Sequence, residues 1–501
     1  VAAYMLGRHE DHLECMKRAH RAHRDAGDLL RAARCAFWAG INLAMRGRTS
    51  HAAGWFGRGR QLAARGSRDS VEHGYLLVPE LLKRAGEHDW EGVAEAARKA
   101  QRIAERHGDA DLYALTAHER GHALVRLGRV EQGLRLMDEV MVSATAEELS
   151  PVVTGLVYCS AIAYCQDLFQ LGRAQAWTES LTGWCEQQPE MVAHTGQCLV
   201  HRAEVMQLRG DWRMALREAR KAKVQFAKAM NSSATGHALY RQGEVHRLQG
   251  RLDRAEAAYR EAGRSGYEPQ PGLALLRLVQ GRAAAAARAI GRVLAETTDP
   301  VRRARLLAAG VEVFLAAGRI GEARRICREL ERSARERGSA FLDALAAHSR
   351  GALELAEEKP DVALGALRRA FEAWRRLGVP YEAARVRVLL AKACRLLEDE
   401  EAAALELDAA RRGFSALRAV PDLASVDALA PRTASGAEHG LTHRELEVLR
   451  HVAAGRSNKA VARDLALSNR TVDRHLSNIF DKLSVSSRSA ATAFAYRNRL
   501  I

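Results

Sequence analysis

Along its first 420 residues this chain repeats one arrangement of apolar and polar positions: an apolar residue, a Gly often followed by Arg or Asp, and then an Ala-rich amphipathic stretch. Apolar residues recurring at i, i+3, i+4 and i+7 predict helices that bury one stripe each. The glycines stand at Gly7, Gly47, Gly86, Gly128, Gly172, Gly210, Gly250, Gly281 and Gly318, with weaker echoes near Lys359 and Glu398. Their spacings are 40, 39, 42, 44, 38, 40, 31 and 37 residues, which is a repeat period. Gly ends a helix by taking a left-handed backbone conformation, and the next stretch then starts a second helix, so each unit is predicted to be a helical hairpin. Only VAAYML precedes Gly7, so the first hairpin is expected to lack most of one helix, as a shortened chain would.

Within the unit after Gly250, RLDRAEAAYREAG sets Ala255 and Tyr259 four residues apart, and Pro269 marks a bend beyond it. The small residue admits a neighbouring helix and the aromatic fills the space beside it. That arrangement resembles a tetratricopeptide repeat with a period longer than the usual thirty-four or so residues. A single hairpin cannot bury its apolar face alone; about ten stacked hairpins make a solenoid with a concave surface suited to a protein or small-molecule effector.

From Pro421 to Gly440 the helical period is lost and Pro, Ser, Thr and Gly gather, which predicts a flexible linker between a repeat region, 1–420, and a C-terminal domain, 441–501. The C-terminal segment parses into four short helices. Thr442 and Glu445 form a capping box, and Leu441 and Leu446 occupy the positions of a hydrophobic staple, so the first helix starts there with Leu446, Leu449 and Val452 inward. Gly455 ends it. Ser457 caps a second helix with Val461, Ala462 and Leu465 inward, and Ala466 and Leu467 make a tight turn. Ser468 caps the third helix, along which Val472, Leu476, Ile479 and Leu483 recur at intervals of four, three and four residues. The opposite face carries Asn469, Arg470, Thr471, Asp473, Arg474, Ser477, Asn478, Asp481 and Lys482. In a major groove such a helix offers its N-terminal half to base edges, where Arg474 suits guanine and Asp473 suits a cytosine amino group. Ser457, Asn458 and Lys459 at the start of the second helix suit phosphates.

Charge strengthens that reading. The formal net charge is +16, and residues 441–501 hold eleven Lys or Arg against five Asp or Glu, a basic density well above that of the rest of the chain. Other chemistry finds little support. No GxxxxGK[ST] phosphate cradle and no Ser/His/Asp constellation is present, so neither an enzyme nor a cofactor is expected. His9, His12, Met16, His20 and His23 share a helical face, which a metal stripe would also show, but no carboxylate or cysteine cluster completes it and a helix seam is the favoured reading. The eight cysteines lack a CxxC pair and are expected reduced and mostly buried. No apolar run of eighteen residues and no signal-peptide pattern occur, so a cytoplasmic protein without membrane contact is expected.

The C-terminal segment resembles the LuxR-type helix-turn-helix domain. The resemblance rests on LTHRELEVL, AAGRSNKAVA and LALSNRTVDRHLSNIFDKLSVSSR in that order and covers about 61 residues. It departs at Asp473, where many members have Lys, and at Ser484, where many have Gly or Asn. The resemblance implies an all-α protein, a tetratricopeptide-like solenoid followed by a four-helix domain, that binds double-stranded promoter DNA as a homodimer on inverted half-sites, with the helix from Ser487 to Tyr496 available for self-association. It implies base contacts by Asp473, Arg474 and Ser477 and backbone contacts by Asn458, Lys459, Arg470 and Thr471, to which the residue reading adds Ser457 and Asn478. The solenoid would then be the sensor of a ligand or partner. Two alternatives are a helical-repeat scaffold for protein partners and the C-terminal part of a larger ATP-dependent LuxR-family switch.

Overall fold

A computed structural model of the chain describes residues 2–187, 195–228, 232–429, 441–465, 467–498 and 500. Among them every regular element is a helix. Two compact units follow one another, Val1–Asp427 and Ala428–Ile501.

The first unit is a stack of antiparallel hairpins. Leu29–Met45 pairs with Thr49–Arg65, Ala110–Arg126 with Val130–Thr145, Ser232–Leu248 with Leu252–Arg264, Ala340–Ala356 with Pro360–Arg376, and Pro380–Leu396 with Glu400–Leu417. Left-handed glycines turn the chain at the expected Gly47, Gly128, Gly210, Gly250, Gly281 and Gly318. The weak echoes are real turns: Glu358 (φ 58°) and Glu398 (φ 60°) adopt the same conformation without Gly. Two turns are displaced from the expected glycines. Gly86 closes the helix Val78–Gly86 and Gly172 lies inside Leu171–Glu186, while His88 (φ 61°) and Phe169 (φ 58°) make the turns. What repeats is therefore the turn geometry, and a packed hairpin on either side tolerates the roughly 1–2 kcal/mol that a side chain pays for a left-handed residue.

Small residues let the paired helices approach. Ala255 and Tyr259 are both fully buried, and a Cβ added at Gly243 would lie 2.6 Å from the Tyr259 ring. Tyr259 thus fills the space that Gly243 leaves on the facing helix. Hairpin upon hairpin, the stack winds into a superhelix that meets itself. Arg126 bonds Asp299 at 2.7 Å, Arg305 bonds Asp167 at 3.0 Å, and the Ser339 hydroxyl donates to the Phe169 carbonyl at 2.7 Å. A Cβ at Gly210 would overlap Leu417, so that turn also fits against chain about two hundred residues away. The concave side holds a cavity of about 1360 Å³.

The histidine stripe lies at a helix seam. His12 and His20 are buried against Leu29–Met45, with His12 Nδ1 3.1 Å from the Asn42 amide nitrogen and His20 Nδ1 2.9 Å from the Ala32 carbonyl oxygen. Cys165, Cys327 and Cys394 are buried free thiols, whereas Cys15 is exposed and Cys159 is disulfide-bonded, which corrects the expectation that all the cysteines are reduced. The start of the expected linker is helical: Val420–Leu429 continues the repeat region with Val426 fully buried, and 430–440 lie outside the described residues. None of the described helices is long and apolar enough to cross a membrane.

Candidate nucleic-acid interface

Four helices build the second unit: His443–Ala453, Asn458–Asp464, Asn469–Leu483 and Arg488–Arg497. Val448, Leu449, Val461, Val472 and Ile479 are fully buried, and Leu476 and Leu483 are buried beside them, so the third helix is anchored by the stripe its spacing predicts. Each start is capped. Thr442 and Glu445 make the complete capping box, and the hydroxyls of Ser457, Ser468 and Ser487 accept from the backbone N–H groups of Ala460, Thr471 and Ala490. Ser484 ends the third helix in the left-handed conformation (φ 52°), where a residue with a Cβ is tolerated because the chain must reverse into the fourth helix.

Burial on one side of the third helix leaves the other in solvent. Asn469, Arg470, Asp473, Arg474 and Ser477 are exposed, while Thr471 and Asn478 are half-buried. The Thr471 hydroxyl lies 2.7 Å from that of Ser468, so the first turn of this helix is held by both the cap and its own third residue. At the start of the second helix Ser457 and Lys459 are exposed, and of the turn expected at Ala466 and Leu467 the first residue lies outside the described residues. The two helix starts, with their N–H groups and partial positive charge, and the exposed Lys459 and Arg470 make this a surface for an anion.

Four side chains, Asn458, Asp473, Lys482 and Arg488, are held in ways that the linear pattern did not reveal. The Asn458 amide donates to Asp473 at 2.7 Å and its oxygen accepts from Arg488 at 2.7 Å, while Arg488 also donates to the Arg456 carbonyl. Asp473 is thus paired to Asn458 on the preceding helix. Lys482, placed by spacing on the outward face, reaches back to the buried Glu445 at 2.6 and 2.8 Å. Burial pushes the Glu445 carboxyl up, but Lys482 and the Thr442 bonds outweigh it and hold the group below the usual carboxylate range. One carboxylate therefore closes the first helix's cap and ties it to the end of the third. Only its Thr442 partner, three residues away, was legible in sequence; Lys482 and Arg488 act over 37 and 30 residues and leave no local signal.

Glu445→Ala is expected to cost about 0.5–2 kcal/mol, the range for losing a helix cap, in this unit alone. Faster amide hydrogen exchange across His443–Ala453 with unchanged exchange in the repeat region would show it; equal protection in variant and parent would count against the double role.

Residues 439–495 match the family described as bacterial regulatory proteins, luxR family. The chain carries a luxR-family domain. The transcriptional regulatory protein LiaR of Bacillus subtilis is 44% identical over 61 residues, which are 12% of this chain and 29% of that protein. The Fimbriae Z protein of Salmonella typhimurium is 42% identical over 72 residues, 14% of this chain and 34% of that protein. The chain therefore spans about a third or less of the length of these relatives. Among solved structures, the Rap protein complexed with competence and sporulation factor aligns over 72% of this chain and 97% of its own, at 13% identity and a TM-score of 0.37. Within the luxR-family domain, the capped second helix, the short turn and the outward third helix form the helix-turn-helix.

Proposed function

We propose that this protein is a cytoplasmic transcription regulator that binds promoter DNA through its luxR-family domain, as a homodimer on inverted half-sites, and that its repeat region takes the effector or protein partner that controls it. The observation that carries the reading is the third helix of the domain, Asn469–Leu483, which buries one face on Val472, Leu476, Ile479 and Leu483 and turns Arg474 and Ser477 outward. A helix fixed on one side and polar on the other can enter a major groove without rearranging. In this reading Arg474 and Ser477 meet base edges, with Asp473 beside them aimed by Asn458. Ser457, Asn458, Lys459, Arg470, Thr471 and Asn478 face the sugar-phosphate strands, Asn458 chiefly by holding Asp473 and Arg488 in place. The work is binding, and no reaction is assigned to it.

Affinity selection of genomic fragments by the full chain at one fixed salt concentration tests this. Enrichment of a common inverted-repeat site is the expected result, and enrichment of no sequence would reject the promoter-binding reading. Phosphate and base contacts separate by their salt response. Lys459→Ala is expected to weaken binding to all sequences alike and to lower the slope of log affinity against log salt by about one. A slope equal to that of the parent would remove Lys459 from the phosphate contacts.

A further inference from the structure

Residues 29–68 are the longest stretch of this chain without a carboxylate: forty residues hold eight Arg and no Lys, Asp or Glu. Three of the eight find carboxylates outside the stretch, Arg31 with Asp28 at 3.5 Å, Arg34 with Glu72 at 3.2 Å and Arg46 with Glu10 at 2.7 Å. The other five, Arg48, Arg58, Arg60, Arg65 and Arg68, are exposed and, among the described residues, form no ion pair. The next carboxylate along the chain, Asp69, is held by Arg106 at 3.1 Å and His107 at 3.2 Å. Several outward arginines elsewhere in the repeat region stand beside a carboxylate of their own helix, as Arg260 does with Glu256, Arg375 with Glu372 and Arg412 with Asp408. Along Thr49–Arg65 no such partner exists, and the positive charge is uncompensated.

That helix carries its charge on its outer side. It buries Ala52, Phe56, Gly59, Leu62 and Ala63, which leaves His51, Arg58, Gln61 and Arg65 outward at intervals of seven, three and four residues. Arg58 and Arg65 thus share one stripe, about 10 Å apart along the axis. Trp55, half-buried at the edge of the stripe, is met edge-on by His20 at 5.1 Å and approached by Arg58 at 5.7 Å. No large apolar side chain is exposed over 49–68.

Such a surface suits a polyanion, and its lack of apolar groups narrows the choice. A protein interface has an apolar or aromatic core, and a membrane-surface helix sinks an apolar face into the lipid; here the apolar face is already spent on the interior. Nucleic-acid interfaces are polar and strongly positive, and the arginine fork matches phosphate oxygens two at a time. We propose that the outer face of Thr49–Arg65 is a second DNA contact, in the repeat region, at which Arg58 and Arg65 bind phosphates of duplex DNA without reading its sequence. The choice of DNA rests on the reading that the chain regulates promoters, since its luxR-family domain brings the duplex to the same protein. The contact adds affinity for any sequence and leaves specificity to that domain.

The test measures the affinity of the full-length chain for a duplex without the selected site over a range of salt, for the parent and for Arg58→Gln/Arg65→Gln. Both are measured again with Lys459→Ala/Arg474→Ala added, so that the luxR-family domain cannot mask the result. A control, Arg375→Gln/Arg412→Gln, removes two exposed charges that have carboxylate partners. The expected result, in either background, is a slope of log affinity against log salt lower by about two, with a roughly tenfold loss of affinity at about 0.1 M salt and a smaller change in the control. An unchanged slope in both backgrounds, or an equal change in the control, would overturn the proposal. So would polyglutamate or phosphatidylglycerol vesicles that displace the duplex as well as unlabelled duplex does. Selection of genomic fragments on the same samples separates the two readings: an enriched site with an unchanged slope rejects this surface alone, while a lowered slope with no enriched site rejects promoter recognition and keeps the surface.

Discussion

Acidification from pH 7 to pH 5 is expected to destabilise the repeat region, and His118→Leu/His122→Leu to recover about 4 kcal/mol of that loss, by linkage of two shifted histidines. Both lie on the helix Ala110–Arg126, buried, with their rings stacked on Tyr164 at 4.8 and 3.8 Å, and none of their four ring nitrogens has a hydrogen-bond partner. Burial lowers each to about 3; for His122 the neighbouring His118 and Arg126 add to the effect. The folded state therefore refuses protons that the unfolded chain accepts near its ordinary value, so the stability present above about pH 6.5 is lost progressively as pH falls towards 3. Glu119 works in the opposite direction. Burial raises its carboxyl to about 7 although the Tyr164 hydroxyl donates to it at 2.8 Å, so it is protonated when folded and ionised when unfolded between about 4.5 and 7. Its cost diminishes on acidification and offsets roughly 2 kcal/mol of the histidine loss between pH 7 and 5. Denaturant midpoints of parent and double variant at the two pH values measure the difference; parallel pH dependences would mean that the two rings accept protons in the folded protein.

Arg474→Ala is expected to weaken binding to the selected DNA site by about 1–3 kcal/mol, a roughly 5- to 150-fold loss, and to relax preference at one base pair in each half-site. The residue lies in the N-terminal half of the third helix of the luxR-family domain, on the exposed face, two residues beyond the fully buried Val472 and two before the buried Leu476. The core stripe is untouched, so folding should be preserved. Selection with the variant gives the readout: a site of unchanged information content with uniformly lower affinity would make Arg474 a phosphate contact. Asn458→Ala offers a sharper contrast, because it releases Asp473 and Arg488 together. Its loss should alter preference at the position Asp473 faces without removing any side chain from the third helix.

Some of this protein was legible in one dimension. The Gly-led period announced the hairpins because a helix end needs a left-handed residue and Gly supplies it at least cost. The C-terminal helices were bounded by caps whose two partners lie within three residues of each other, as Thr442 with Glu445 and Ser468 with Thr471 do. The period of the third helix named its buried stripe residue by residue, since a helix brings i, i+4 and i+7 to one face whatever surrounds it. His88, Phe169, Glu358 and Glu398 were the limit of that legibility: packing holds a side chain in a conformation its own chemistry disfavours.

Tertiary structure alone decided the rest. Arg126 with Asp299, Arg305 with Asp167, and Ser339 with Phe169 join residues 138 to 173 apart and bring distant hairpins of the stack together. Small rotations between successive hairpins add up over the superhelix, and no local pattern encodes their sum. The same holds at the proposed DNA-binding surface, where Asn458, Asp473 and Arg488 meet from three helices. Short-range rules state which face of a helix is polar; which polar groups on that face are already taken depends on the neighbours the fold brings to it.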